Sequence, residues 1–83
     1  MKTLGKLMVK APRFDPSAEK IIVVGWKKNE GENVKKDEEL IEMIGEKTTF
    51  TYVSPCNGVI SKILVHEGEV KVGEVLGELE CLD

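Results

Sequence analysis

Two segments of the sequence repeat one another. Val23 to Ile44, VVGWKKNEGENVKKDEELIEMI, and Ile60 to Leu79, ISKILVHEGEVKVGEVLGEL, share one plan. Each reads as a strand, a Glu-Gly-Glu turn, a short valine strand, a polar turn and a second strand. Glu30-Gly31-Glu32 matches Glu67-Gly68-Glu69, and Trp26 then falls on Ile63. Leu40 matches Leu76 at an offset one residue shorter, so the second copy lacks a residue near Val70. A duplication of this length predicts two interlocking halves, about residues 20–46 and 58–80, related by a pseudo-two-fold axis. It also answers a size problem. A chain of 83 residues makes one domain, 1–83, and buries only about 60% of its unfolded surface. Two facing sheets that bury both inner faces supply a core without a staple.

No stretch keeps a helical period for three turns, whereas short β-prone runs recur between turns. That pattern indicates an all-β sandwich or barrel. Lys20 to Lys28 is rich in branched residues, and Gly25 within it suggests a bulge. Residues 1–8 show no pattern and read as loose, and Leu7 to Ala11 reads as a short strand ended by Pro12. Arg13 to Ala18 is a loop, because Pro16 excludes regular structure and pushes Asp15 to extended geometry. Asn57-Gly58 is a turn pair. Val59, Ile60, Ile63, Leu64 and Trp26 read as core. Glu32 and Glu69 are expected to hold turns.

The stretch Ile41 to Gly58, IEMIGEKTTFTYVSPCNG, reads as a β-hairpin. Ile41 and Met43 flank Glu42 on the way in, and Phe50 and Tyr52 alternate with Thr49, Thr51 and Val53 on the way out. This is the period of a half-buried strand. Gly45 and Glu46 suit a turn rather than a strand, which puts Lys47 at the tip. A lone turn lysine signifies only solubility. Within the duplicated frame, however, the first half ends at Lys47 and the second at the chain terminus, so this lysine is displayed away from both termini.

Net charge is −3, which argues against general nucleic-acid binding. Lys2, Lys6, Lys10 and Arg13 precede the first acid and read as a solvated leader rather than a basic arm. The N-terminus has no apolar run of signal length, and no segment approaches a membrane span. A cytoplasmic setting is expected, or the mitochondrial matrix in a eukaryote. There Cys56 and Cys81 are expected as reduced thiols, with Cys56 structural. One histidine and two distant cysteines offer no metal-ligand spacing. His66, beside Glu67, reads as a surface-turn residue with no nucleophile near it.

Taken as a set, these residues resemble the biotinyl/lipoyl carrier domains over about residues 9 to 80. The matching pieces are Trp26-Lys27-Lys28-Asn29-Glu30-Gly31-Glu32-x-Val34, Leu40-Ile41-Glu42-Met43, Glu46-Lys47, Ser54-Pro55-x-x-Gly58-Val59, Glu67-Gly68-Glu69, Val72-Gly73 and Leu76. The resemblance implies a flattened β-barrel or sandwich of two four-stranded antiparallel sheets. It also implies a carrier domain without its own active site, modified on Lys47. Biotin carriers of the family show Met-Lys-Met at the tip, and lipoyl domains Asp-Lys-Ala or a close variant. Lys47 lies between Glu46 and Thr48, so lipoic acid is the implied cofactor and biotin the alternative. Glu46 and Thr48 are then recognition residues.

The implied partners are a thiamin-dependent 2-oxo acid decarboxylase, an acyltransferase core, dihydrolipoamide dehydrogenase and a lipoate ligase or lipoyl transferase. The competing readings are a biotin carrier of a carboxylase, an unmodified β interaction module and a glycine-cleavage carrier. Asp15-Pro16-Ser17 stands where the family often has Gly-Glu. Ile44 and Gly45 replace its usual acid and hydroxyl before the tip. In the family these regions border the lysine and help partner enzymes recognise it.

Overall fold

A computed structural model describes residues 3–82 of the chain. Its strands are β1 (Thr3–Lys10), β2 (Lys20–Trp26), β3 (Asn33–Val34), β4 (Glu39–Ile44), β5 (Thr49–Val53), β6 (Gly58–Ile63), β7 (Gly68–Lys71) and β8 (Val75–Leu82). They form two four-stranded sheets, β1-β8-β6-β3 and β5-β4-β2-β7. Every ladder is antiparallel. Among the described residues no ladder joins the sheets, so the expected barrel-or-sandwich is a flattened sandwich, not a closed barrel.

The pseudo-two-fold shows in the strand exchange. The short strand of each half pairs with the first strand of the other: β3 with β6, and β7 with β2. Neither half can close its sheet alone. The axis relates β2, β3 and β4 to β6, β7 and β8, and it relates β5 to β1. Turn geometry repeats too. Gly31 and Gly68 hold the same left-handed position in the two Glu-Gly-Glu turns, with φ of 86° and 115°. Asp37 and Gly73 do so in the following turns. There Glu38 accepts the Lys35 N–H at 2.9 Å, and Glu74 accepts the Lys71 N–H at 3.3 Å.

Edge pairing explains one departure from the sequence reading. Thr3 to Lys6, read as loose, extend the strand expected from Leu7 into β1, which runs antiparallel to β8 from Thr3↔Leu82 to Lys10↔Val75. Without β1, β8 would present an unpaired edge, and that pairing overrides a weak local pattern. The reading of Met1 and Lys2 lies outside the described residues.

The core lies between the sheets. Val9, Ile21, Val23, Met43, Ile60, Leu76 and Leu79 are buried there, with Ile21 and Val23 showing the period of two along β2. Alternation breaks where ladders shift register: Leu40 and Ile41 are both buried across the β4–β5 shift between Glu39 and Ile41, and Ile60 and Ile63, three apart, across the β6–β8 shift between Ile60 and Lys62. The expected irregularity at Gly25 is a register shift between Val23 and Gly25. Trp26 is half-buried, and its indole N–H donates to the Val65 carbonyl at 2.7 Å.

Three side-chain expectations fail. Leu64 is 52% exposed, because β6 ends at Ile63 and the chain turns outward. Val59 is half-buried rather than core. Glu32 holds its turn by accepting the Asn29 N–H at 2.8 Å, but the Glu69 carboxylate lies 3.8 Å from Lys20 on the neighbouring strand instead.

The cysteines are the main correction. Cys56 and Cys81 form a disulfide, where reduced thiols and an unstapled core were expected. The β6–β8 ladder makes Gly58 and Cys81 Cα partners, which brings Cys56 to a Cα separation of 5.8 Å from Cys81. That separation lies within bridging range. A thin core gains from such a bond through the unfolded chain.

Candidate functional site

β4 and β5 pair up to Ile44↔Thr49, and the Gly45 N–H donates to the Thr48 carbonyl at 2.7 Å. Gly45 to Thr48 is therefore a closed four-residue turn, as the alternation on either side predicts. Glu46, Lys47 and Thr48 are all exposed. Among the described residues the Lys47 amine has no hydrogen-bond or ion-pair partner. Its backbone is held firmly nonetheless.

The holder is the loop between β1 and β2. Asp15 is a buried carboxylate, 4% exposed. Its Oδ2 accepts the Lys47 N–H at 2.9 Å. Its Oδ1 accepts the Ser17 N–H at 3.0 Å and the Ser17 hydroxyl at 2.7 Å. These donors, Lys47 first and Ser17 next, lower the Asp15 pKa to about 2, so the group is ionised at neutral pH.

Two further contacts seat the loop. The rings of Phe14 and Phe50 stack with centroids 5.0 Å apart. Gly45 leaves room for the approach: a Cβ there would lie 2.8 Å from both Cβ and Oδ2 of Asp15. The substituted residues Gly45 and Asp15 thus belong together, each making the other possible. The sequence marked both as departures without linking them. The available signal was Asp15 followed two residues later by Ser17, a pattern of side chain to backbone turns.

Ile44 is 41% exposed and stands opposite Ile22, 49% exposed, on the outer face of β4 and β2. A groove of about 530 Å³ runs between this pair and the loop, with Arg13, Ser17, Lys20 and Glu46 on its walls. Lys47 and the ends of the described chain lie apart. The loop that touches the tip follows Lys10 at the near end of β1, whereas Thr3 and Leu82 pair at the far end. The long dimension of the molecule is 41 Å.

The other sequence candidates lie elsewhere. His66 is exposed in the turn after β6, and Cys56 is half-buried in its disulfide at the end of β5 away from the tip. Among the described residues no group of three potential metal ligands comes together, and no helix is long and apolar enough to cross a membrane. The tip offers one accessible primary amine on a rigid turn. That arrangement suits covalent attachment of a group through an amide.

Comparison with known proteins agrees with this geometry. The family model described as "Biotin-requiring enzyme" matches residues 8–79. The chain is 42% identical over 69 residues to the dihydrolipoyllysine-residue succinyltransferase component of the 2-oxoglutarate dehydrogenase complex of Rickettsia bellii. That match covers 82% of this chain and 17% of the relative. The corresponding component of Azotobacter vinelandii is 38% identical over 86% of this chain and 18% of its own. The mitochondrial acetyltransferase component of the pyruvate dehydrogenase complex of Caenorhabditis elegans is 34% identical over 89% of this chain and 14% of its own. The chain thus spans less than a fifth of each of these relatives.

Among solved structures, the lipoyl domain of the Azotobacter vinelandii 2-oxoglutarate dehydrogenase complex superposes with a TM-score of 0.76 at 36% identity. It covers 88% of this chain and 94% of that domain. A multi-domain long-chain acyl-CoA carboxylase superposes with a TM-score of 0.78 at 18% identity, over all of this chain and 8% of that one, which is a likeness of fold alone. With a family model covering nearly all of both sheets and relatives near 40% identity, this chain belongs to the biotinyl/lipoyl carrier-domain family.

Proposed function

We propose that Lys47 is a lipoyl attachment site and that the chain is a swinging-arm carrier serving a 2-oxo acid dehydrogenase complex. The observation that carries this reading is an exposed, unpartnered amine on a braced turn, at the end of the sandwich away from the ends of the described chain. The site fits the group. Amide formation removes one positive charge, and no ion pair among the described residues depends on it. Glu46 and Thr48 flank the amine, exposed, where a modifying lipoate ligase or lipoyl transferase would read them.

The bound arm supplies a dithiolane that accepts and passes on an acyl group by thiol chemistry. The protein contributes position: the turn holds the root of the arm still, and the 41 Å body keeps it clear of whatever chain it is joined to. In this reading the chain is a carrier, and catalysis belongs to its partners. Those are a thiamin-dependent 2-oxo acid decarboxylase, an acyltransferase core and dihydrolipoamide dehydrogenase, in keeping with the complexes named for its relatives.

Incubation with a lipoate ligase, ATP and lipoic acid, followed by intact mass, tests the assignment. One lipoyl adduct is expected, lost in Lys47→Arg. No adduct, or one that survives Lys47→Arg, overturns it. Biotin is the second reading, and Glu46 and Thr48 in place of methionines disfavour it. A streptavidin blot after incubation with a biotin ligase separates the two.

A further inference from the structure

The turn that presents Lys47 has a backbone problem. Gly45 to Thr48 closes with a single hydrogen bond between its ends, and the N–H groups of Glu46 and Lys47 lie beyond the last strand pair. Left to water, such a tip fluctuates. Here the Lys47 N–H is taken by the Asp15 carboxylate, 32 positions away in sequence. The carboxylate is oriented by two bonds from Ser17, and the Asp15 backbone carbonyl accepts the Ala18 N–H at 3.0 Å. The stack of Phe14 on Phe50 and the missing Cβ at Gly45 set the distance between loop and tip.

We propose that Asp15 is the positioning residue for modification of Lys47, a role that rests on the carrier reading above. It acts through the backbone and leaves the amine free. By fixing the peptide plane that leads into Lys47, it constrains the direction in which the side chain leaves the turn. A modifying ligase must find that direction before it can bind. When the latch is open, only the fraction of molecules with the correct tip is competent, and apparent affinity falls by that fraction. Loss of Asp15 therefore raises KM and spares kcat, since the bound complex is unchanged.

The test is the rate of lipoylation against domain concentration, with lipoate ligase in catalytic amount, read together with amide hydrogen exchange. Asp15→Ala is expected to raise KM about 10-fold, corresponding to a tip that is competent about a tenth of the time. Exchange at the Lys47 amide should accelerate while the β4–β5 ladder amides stay protected. Asp15→Asn keeps one acceptor oxygen and should fall between. Gly45→Ala opens the same contact from the other side and should match Asp15→Ala. Ile63→Val, a core change remote from the tip, controls for lost stability and should leave KM unchanged.

The proposal is overturned if Asp15→Ala exposes the Lys47 amide without changing KM. An equal KM rise in Ile63→Val overturns it as well. If the unaltered protein takes no lipoate, the carrier reading itself fails. If it takes lipoate and Asp15→Ala takes it equally well, only the positioning role fails.

Discussion

Reducing the Cys56–Cys81 disulfide should destabilise the protein severely while leaving its native structure in place. The two residues are 25 positions apart, and the closed loop contains β6, β7 and most of β8. On the chain-entropy model a loop of that length stabilises by about 3.5 kcal/mol at 25 °C, through the unfolded ensemble. For a domain of this size that corresponds to roughly 14–28 °C in Tm. The native state, by contrast, does not need the sulfurs to hold the ends together. Gly58 and Cys81 are ladder partners, and the Leu82 N–H donates to the Asn57 carbonyl at 2.7 Å. The Ser54 hydroxyl donates to the Cys56 carbonyl at 2.6 Å. Calorimetry with and without a phosphine reductant, and of the Cys56→Ser/Cys81→Ser double variant, measures the first part. Amide spectra of the same samples measure the second, with changes expected only around residues 54–58 and 80–82. A Tm difference under about 4 °C, equivalent to less than about 1 kcal/mol, would refute the entropic account. A large shift accompanied by spectral change throughout both sheets would instead show that the bond organises the native fold.

Three further predictions follow from single residues. The folded Asp15 pKa of about 2 lies below the ordinary 3.8, so its contribution is complete above about pH 4 and is lost as pH falls through about 2. The Lys47 amide resonance should titrate with a midpoint near that value, and a midpoint near 3.8 would mean that the latch is open. Leu40→Ala, at a fully buried site, should cost about 2–5 kcal/mol in urea denaturation. Leu64→Ala, at a site just over half exposed, should stay within about 0.5 kcal/mol, and the reverse order would contradict the placement of β6. Gly58→Ala would push a Cβ against the Glu80 carbonyl on β8 and should cost about 1–3 kcal/mol, as overpacking does. Unchanged stability in that variant would show that the two strands lie further apart.

What could be read before folding was whatever repeats locally. Period-two alternation located the strands around Lys47, and Gly25 marked a bulge before any partner strand was known. The matching Glu-Gly-Glu turns announced the duplication because a left-handed turn needs glycine wherever it occurs, and Gly31 and Gly68 supply it in both copies. What could not be read were residues whose role depends on a remote neighbour. Thr3 to Lys6 lack a strand pattern, yet β8 recruits them into an edge strand. Leu64 has the composition of core, but its strand ends one residue earlier. Cys56 and Cys81 look like two isolated thiols until the β6–β8 register brings them together.

The candidate site divides the same way. Lys47 at a hairpin tip, with Glu46 and Thr48 beside it, followed from the sequence alone, because a turn and its flanking alternation are local properties of the chain. That Asp15 grips the turn, and that Gly45 is bare so that Asp15 can reach it, was decided only by tertiary structure. The physical reason is range. Strand, turn and bulge preferences act over a few residues and leave their mark in the order of side chains. A buried carboxylate finds its donors wherever packing of the two sheets has placed them, here 32 positions along the chain.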